Sequence, residues 1–206
     1  MPRQGLTQRI VVEKAAQLIE ETGYGQLTIQ ALAARLNVKP SSLYKHIDGM
    51  EQLTVLLSLL SLERIKTASR QQTAGFFGKD ALSRTAFAYR DFALCSPQLY
   101  KAMIRVPQLE PNPQLHTSMH ELWQMIFEQV LESGISEEEA VHFTRMYRSQ
   151  LHGFIALEEA GYFTNSDQDR EESFRWMVSH LLLILDQVRE NRPHIVSERS
   201  KNGTSN

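Results

Sequence analysis

Apolar residues recur along this chain at the three- and four-residue spacing of amphipathic helices, from one end to the other. The spacing is most regular over about residues 169–191, at Phe174, Met177, Val178, Leu181, Leu182, Leu185 and Val188. No segment alternates apolar and polar residues as a half-buried strand does. The sequence therefore predicts an all-α fold, with an N-terminal three-helix head and a C-terminal helical bundle.

Capping residues and chain breakers divide this pattern into successive helices. Residues suited to a helix start precede the apolar runs at Thr7, Thr28, Pro40, Asp80, Pro97 and Ser136. The third helix is expected to run from Pro40 to about His46, and the three prolines of 107–113 predict a loop. The predicted units are a head over residues 1–50, a ligand-binding and dimerisation body over 51–192, and a disordered tail over 193–206.

Composition limits the protein class. With 42% hydrophobic residues the chain can form a real core, and no run approaches the roughly 20 apolar residues of a membrane span. The N-terminus lacks the apolar region of a secretion signal, and one cysteine excludes an internal disulfide. We therefore expect a cytoplasmic protein in which Cys95 is a small buried residue. The net charge is −2, of which residues 1–50 contribute +2 and the remainder −4, so a DNA-binding end is permitted rather than indicated.

Residues 28–36 and 40–46 have the dimensions of a helix-turn-helix. Ala33 is small where the two helices would cross, and Asn37 accepts the left-handed backbone of a tight turn. The start of the second helix would point outward, as in proteins that read the major groove. Geometry alone leaves open a small bundle with no role in DNA binding.

The whole string from Leu27 to Ile47 closely resembles the DNA-binding head of the TetR family of repressors, with matching residues over about 7–55. The resemblance implies DNA contacts from Thr28, Gln30, Pro40, Ser41, Ser42, Tyr44, Lys45 and His46. Tyr44 and His46 would donate to phosphates, and Lys45 would contact a base or a phosphate. Many relatives have a lysine where this chain has Met50, which predicts weaker operator affinity rather than altered specificity.

The stretch from Leu151 to Phe163 resembles a C-terminal type of the same family that is marked by a tryptophan followed by His-Gly, although Arg148 stands at the tryptophan position. Gly153 lies inside the predicted helix, which favours close approach of the last helix or of a dimer partner. The resemblance also implies an effector pocket between about residues 80 and 160. Candidate lining residues are Phe92, Met103, Trp123, Phe127 and Tyr147.

Other constellations favour no catalytic chemistry. His116 and His120 are four residues apart, but the first is not followed by the glutamate of a zincin, so we expect surface histidines, no metal and no cofactor. No nucleophile–base pair, phosphate-binding glycine loop or paired carboxylate setting supports an enzyme. A helical adaptor that only dimerises remains an alternative.

The sequence thus predicts a repressor that leaves its operator when a small apolar or amphipathic molecule binds. Residues 181–185 are apolar on every side of their helix, which predicts a homodimer formed by the helices over about 136–160 and 169–191. Two-fold symmetry would match a near-palindromic double-stranded operator. The effector, the operator sequence, the regulated genes and the sign of regulation cannot be read from the residues.

Overall fold

The computed structural model describes residues 5–105, 111–164 and 168–191, which form nine α-helices, two short 3₁₀ turns and no strand. The helices are α1 Gln8–Thr22, α2 Ile29–Leu36, α3 Pro40–Leu43, α4 Met50–Thr73, α5 Gly78–Cys95, α6 Pro97–Ile104, α7 Pro113–Leu131, α8 Glu137–Glu159 and α9 Arg170–Glu190. The all-α prediction is confirmed. The predicted tail and most of the predicted 107–113 loop lie outside the described residues. No helix in the described ranges is long and apolar enough to cross a bilayer.

Three helices begin at the caps that the sequence predicts. The Thr7 side chain accepts a hydrogen bond from the Ile10 amide, and the Thr28 side chain accepts one from the Ala31 amide. Ser136 forms a full capping box with Glu139, in which each side chain accepts from the other residue's backbone amide. These local bonds satisfy amides that a helix start would otherwise leave unpaired.

Two predicted helix boundaries are wrong. Helix α3 ends at Leu43 instead of reaching His46, because the chain turns there and the His46 amide donates to the Leu43 carbonyl at 2.8 Å. The turn places Ile47 in the core with 1% exposure. Helix α5 begins at Gly78 rather than at an Asp80 cap, since the Gly78 amide is bound by the Glu132 carboxylate at 2.9 Å.

The prediction that Cys95 is buried is also wrong. Cys95 is the last residue of α5 and is exposed. The chain turns at Ser96 into α6, so Cys95 lies at the end of α5 rather than on its packed face.

Helix α4 connects the head to the body. Its first half buries Leu53 and Leu57 and packs against α1, and its second half buries Leu62 and Ile65. Helices α5, α6 and α7 pack around α4, while α8 and α9 pack against α5 and against each other. One hydrophobic core therefore runs from α1 to α9. Because α4 and α6 each contact helices of the head and of the body, a displacement of either helix changes the packing in both parts.

A buried ion cluster joins α5 to the last two helices. The Arg90 guanidinium, 4% exposed, donates to both Glu158 carboxylate oxygens at 2.7 and 2.8 Å and also contacts Glu171. It also lies 4.9 Å from the Phe174 ring centroid, in cation–π geometry. This cluster fixes where α8 and α9 sit against the body.

Candidate nucleic-acid interface and effector cavity

The turn between α2 and α3 has the backbone that the sequence predicts. Asn37 has a left-handed backbone conformation, with φ 53° and ψ 47°. Every other described residue with a positive φ is a glycine. The amides of Asn37 and Val38 donate to the carbonyls of Ala34 and Ala33 at 3.1 and 3.0 Å. Leu43 is fully buried against this joint. The two helices are thus held at a fixed angle, with the start of α3 outward.

All eight residues predicted to contact DNA lie on the surface of the head. Ser42 and His46 are half-buried. The other six are exposed, namely Thr28, Gln30, Pro40, Ser41, Tyr44 and Lys45. The Thr28 hydroxyl oxygen accepts from the Ala31 amide at 3.0 Å, which leaves its proton free to donate. Tyr44 is 56% exposed, which is unusual for an aromatic side chain. Their contacts with DNA remain a prediction.

The cations of this surface differ in their availability. Arg35 is bound by both oxygens of Glu21, and this hydrogen bond lowers the pKa of the Glu21 carboxyl. Lys39 and Lys45 have no carboxylate within 4.0 Å in the described part of the chain. These two lysines are therefore the ones available to phosphates at the start of α3.

The body contains a cavity of about 390 Å³ between α4, α5, α6, α7 and α8. Its walls are mostly apolar, and small-molecule sites commonly span about 300–1,000 Å³. The lining residues are Leu62, Tyr89, Tyr100, Lys101, Met103, Ile104, Met119, Leu122, Arg148, His152, Ala156 and Glu159. Helix α8 contributes one face, since its four lining residues are spaced by four, four and three positions.

The polar side chains of the cavity centre on His152. The Tyr100 hydroxyl lies 2.5 Å from His152 Nδ1, and Tyr89 meets the imidazole edge-on. Burial, with the nearby charge of Arg148, lowers the pKa of His152 to about 4. Burial also raises the pKa of Tyr89 to about 12 and that of Tyr100 well above its usual value. At neutral pH the imidazole and both phenols are therefore uncharged.

Of the five residues predicted to bind a ligand, Met103 lines this cavity and the other four do not. Tyr147 is fully buried, and its hydroxyl donates to the Leu82 carbonyl at 2.5 Å. Phe92 is a core residue of α5. Trp123 and Phe127 stack on each other at 5.8 Å, on a part of α7 that does not line the cavity.

Sequence reasoning missed the polar wall of the cavity, formed by Tyr100, Arg148, His152 and Glu159. Arg148 enters the sequence prediction only as a departure from the family pattern, and His152 only as part of the stretch from Leu151 to Phe163. The spacing of 148, 152 and 156 on one helix face was the available signal. His116 and His120 are exposed on α7, and no group of three potential metal ligands occurs within the described ranges.

Helix α6 links the cavity to the head. Four cavity residues lie on this eight-residue helix, and its N-terminus is bound by a residue of α1. The Glu20 carboxylate accepts from the amides of Gln98 and Leu99 at 3.1 and 2.9 Å. The Tyr24 amide donates to the Gln98 side chain at 3.2 Å. Movement of α6 therefore acts directly on α1.

The outer faces of α8 and α9 have large apolar side chains in solvent. Leu157, Trp176 and Leu183 are 44, 63 and 51% exposed. A Cβ at Gly153 would meet no atom within 4 Å, so among the described residues the last helix does not approach this glycine closely. Approach by a dimer partner remains a prediction.

A helix-turn-helix head joined to a helical body with a cavity is the arrangement of a one-component DNA-binding regulator. Residues 11–55 match the bacterial regulatory proteins of the tetR family, and residues 82–181 match the tetracyclin repressor-like C-terminal domain. The uncharacterized HTH-type transcriptional regulator YobS of Bacillus subtilis is 30% identical over 186 residues, covering 88% of this chain and 96% of its own. The chain belongs to the tetR family: it is a DNA-binding transcriptional regulator and not an enzyme.

Solved structures share the fold. A protein of unknown function from Rhodococcus sp. RHA1 has a TM-score of 0.78 at 18% identity, over 88% of this chain and 96% of that one. BioQ, solved with its natural double-stranded DNA operator, has a TM-score of 0.64 at 21% identity, over 88% and 98%. At these identities the likeness concerns the fold alone.

Proposed function

We propose that this protein is a homodimeric repressor that releases its operator when a small apolar or amphipathic molecule occupies the cavity of the body. The observation that carries the proposal is α6, which lines the cavity with four residues and is hydrogen-bonded to the head through Glu20. In a ligand-controlled regulator the ligand site is coupled to the DNA site, and α6 would provide that coupling through its contacts with both.

The surface around α3 supports DNA contact by the eight predicted residues. Pro40, Ser41 and Ser42 would face the major groove, because the first residues of a recognition helix reach base edges. Tyr44 and His46 follow the end of α3 in a turn, which suits contact with the phosphate backbone rather than with bases. BioQ, of the same fold, binds a double-stranded operator.

The exposed apolar face of α8 and α9 supports a homodimer. Leu157, Trp176 and Leu183 would be costly to leave in water, and the exposed Gly153 lies on the same side of α8 as Leu157. Two helices from each subunit would form a four-helix interface. Two-fold symmetry would then set two recognition helices about 34 Å apart, matching successive major grooves of a near-palindromic site.

Ligand control follows from the attachment of the head. A molecule that binds better when α6 is displaced would move α1 through Glu20 and α4 through the Ser58 and Ser61 hydroxyls, which donate to α6 carbonyls at 3.2 and 2.8 Å. A shift of a few ångströms in the spacing of the recognition helices would remove one of them from its groove. Ligand and operator would then each lower the affinity of the protein for the other.

The DNA surface is tested by fluorescence anisotropy on DNA from the promoter region of the protein's own gene. We expect Lys45→Ala to flatten the plot of log affinity against log salt by about one unit, because one phosphate contact is lost. Arg35→Ala is the matched control, since Arg35 is already held by Glu21 and should leave the slope unchanged.

A Pro40/Ser42/Tyr44 triple alanine variant should lose operator binding while keeping its fold. Equal binding by this variant and the wild type would refute the assignment of the interface. Repression is tested with a reporter gene behind the same promoter: expression should rise when the regulator is deleted, and a fall would show an activator instead.

A further inference from the structure

Arg148 brings an unpaired positive charge to a largely apolar cavity. Arg148 is half-buried on α8, and among the described residues no carboxylate lies within 4.0 Å of its guanidinium and no hydrogen bond occupies it. The cavity's other cation, Lys101, is ion-paired with Glu159 on α8. The cavity therefore has a net charge of +1 at neutral pH, contributed by Arg148.

A second hydrogen-bond donor lies near Arg148. The Tyr100 phenol stays protonated at neutral pH and can donate to His152 Nδ1, 2.5 Å away. A neutral imidazole that accepts at Nδ1 carries its proton on Nε2, which has no partner in the described part of the chain. Arg148 lies one turn before His152 on α8 and both residues line the cavity, so the guanidinium and the imidazole share one face of this helix.

We propose that the cavity binds an organic carboxylate with an apolar body, whose carboxyl group pairs with Arg148 and accepts from His152 Nε2. The inference deepens the proposed function, because it names the chemical class of the effector and rests on that cavity being the effector site.

The rest of the lining fits the apolar body of such a molecule. Leu62, Met103 and Leu122 are buried and Met119 is half-buried, and none of the four brings a charge. Methionines adapt to irregular ligand shapes because their side chains are unbranched and polarizable. A cationic ligand would be repelled by Arg148 and would find Glu159 already paired, and a neutral one would leave the guanidinium partly desolvated with no counter-charge.

The experiment compares three straight-chain series of six to twelve carbons, the carboxylates, the primary alcohols and the primary amines, by calorimetric titration of the full chain without DNA. We expect the carboxylate to bind about 10- to 100-fold more tightly than the alcohol of equal length, as a charge-assisted hydrogen bond implies, with the amine weakest. The proposal is overturned if the alcohol equals the carboxylate, if the amine is tightest, or if no carboxylate binds at 1 mM.

Variants on α8 assign the effect to one residue. Arg148→Met should remove the preference for the carboxylate over the alcohol, and Arg148→Lys should retain part of it. Arg145→Met is the control: Arg145 is an exposed arginine one turn earlier that does not line the cavity, so the preference should persist. An unchanged preference in a folded Arg148→Met protein would exclude Arg148 as the counter-charge.

The outcome is separable from that of the proposed function. If carboxylates bind through Arg148 but operator affinity is unaffected, the anion site stands and ligand-controlled repression fails. If the alcohols bind best and also release the operator, repression by a ligand stands and the anion site fails.

Discussion

The buried ion cluster of Arg90 offers a quantitative test of how α8 and α9 are held. Glu158 is 6% exposed and receives two hydrogen bonds from Arg90, whereas Glu171, the second carboxylate, has a side chain that is 45% exposed. Glu158→Gln keeps the shape of the side chain and removes its charge. Removing one partner of a buried ion pair commonly costs about 3–5 kcal/mol.

Because Glu171 still contacts Arg90, we expect the loss for Glu158→Gln to be about 2–3 kcal/mol in the free energy of unfolding. Glu171→Gln should cost less than about 1 kcal/mol, since that carboxylate is well exposed to solvent. An Arg90→Met/Glu158→Leu double variant should regain most of the loss, because it removes both buried charges together.

The assay is urea unfolding followed by circular dichroism, at one fixed protomer concentration because the stability of a dimer depends on concentration. At a constant m-value, the shift in midpoint gives the change in the free energy of unfolding for each of the three variants. If Glu158→Gln costs no more than Glu171→Gln, the buried pair does not hold α8 and the reasoning from burial is refuted.

Three further predictions concern coupling, assembly and pH. Glu20→Ala should lower the free energy of unfolding by about 1–2 kcal/mol, as the loss of a helix cap does. It should also weaken the effect of a bound ligand on operator affinity, and an unaltered ligand effect would contradict the role of α6. A Leu157→Glu/Leu183→Glu variant should be monomeric by light scattering at micromolar concentration. Leu94 on α5 is exposed to a similar degree, 49%, and the control variant Leu94→Glu should remain dimeric. A dimeric double variant would place the interface elsewhere. The pKa of His152 falls to about 4 in the folded protein, so between about pH 6.5 and 4 the unfolded state binds the extra proton. The free energy of unfolding should therefore decline by about 3 kcal/mol as the pH falls across this window. The same decline in His152→Gln would exclude this residue as its source.

The head could be predicted closely because its signals are local. A threonine cap, a small residue at the helix crossing and an asparagine in the turn each act within a few residues, and the structure places Thr28, Ala33 and Asn37 in those roles. The boundary error at α3 arose because Ile47 is drawn into the core, which no local signal shows.

The cavity could not be predicted in the same way. Helical periodicity identifies the apolar face of each helix, but it does not show where five helices leave a gap between their faces. Trp123 and Phe127 stack on each other, and the Tyr147 hydroxyl donates to a backbone carbonyl. These three side chains therefore make their contacts within the protein and not with the cavity. Arg148 and His152 were overlooked because polar residues do not contribute to an apolar pattern.

Reciprocal linkage between operator and ligand tests the central proposal most directly. A small molecule found by its effect on the melting temperature is titrated into the protein with and without saturating operator DNA, and operator affinity is measured with and without that molecule. We predict that each reduces the affinity of the other by the same factor, typically about 5- to 150-fold. A molecule that binds in the cavity with the same affinity in the presence and absence of operator would contradict ligand-controlled repression.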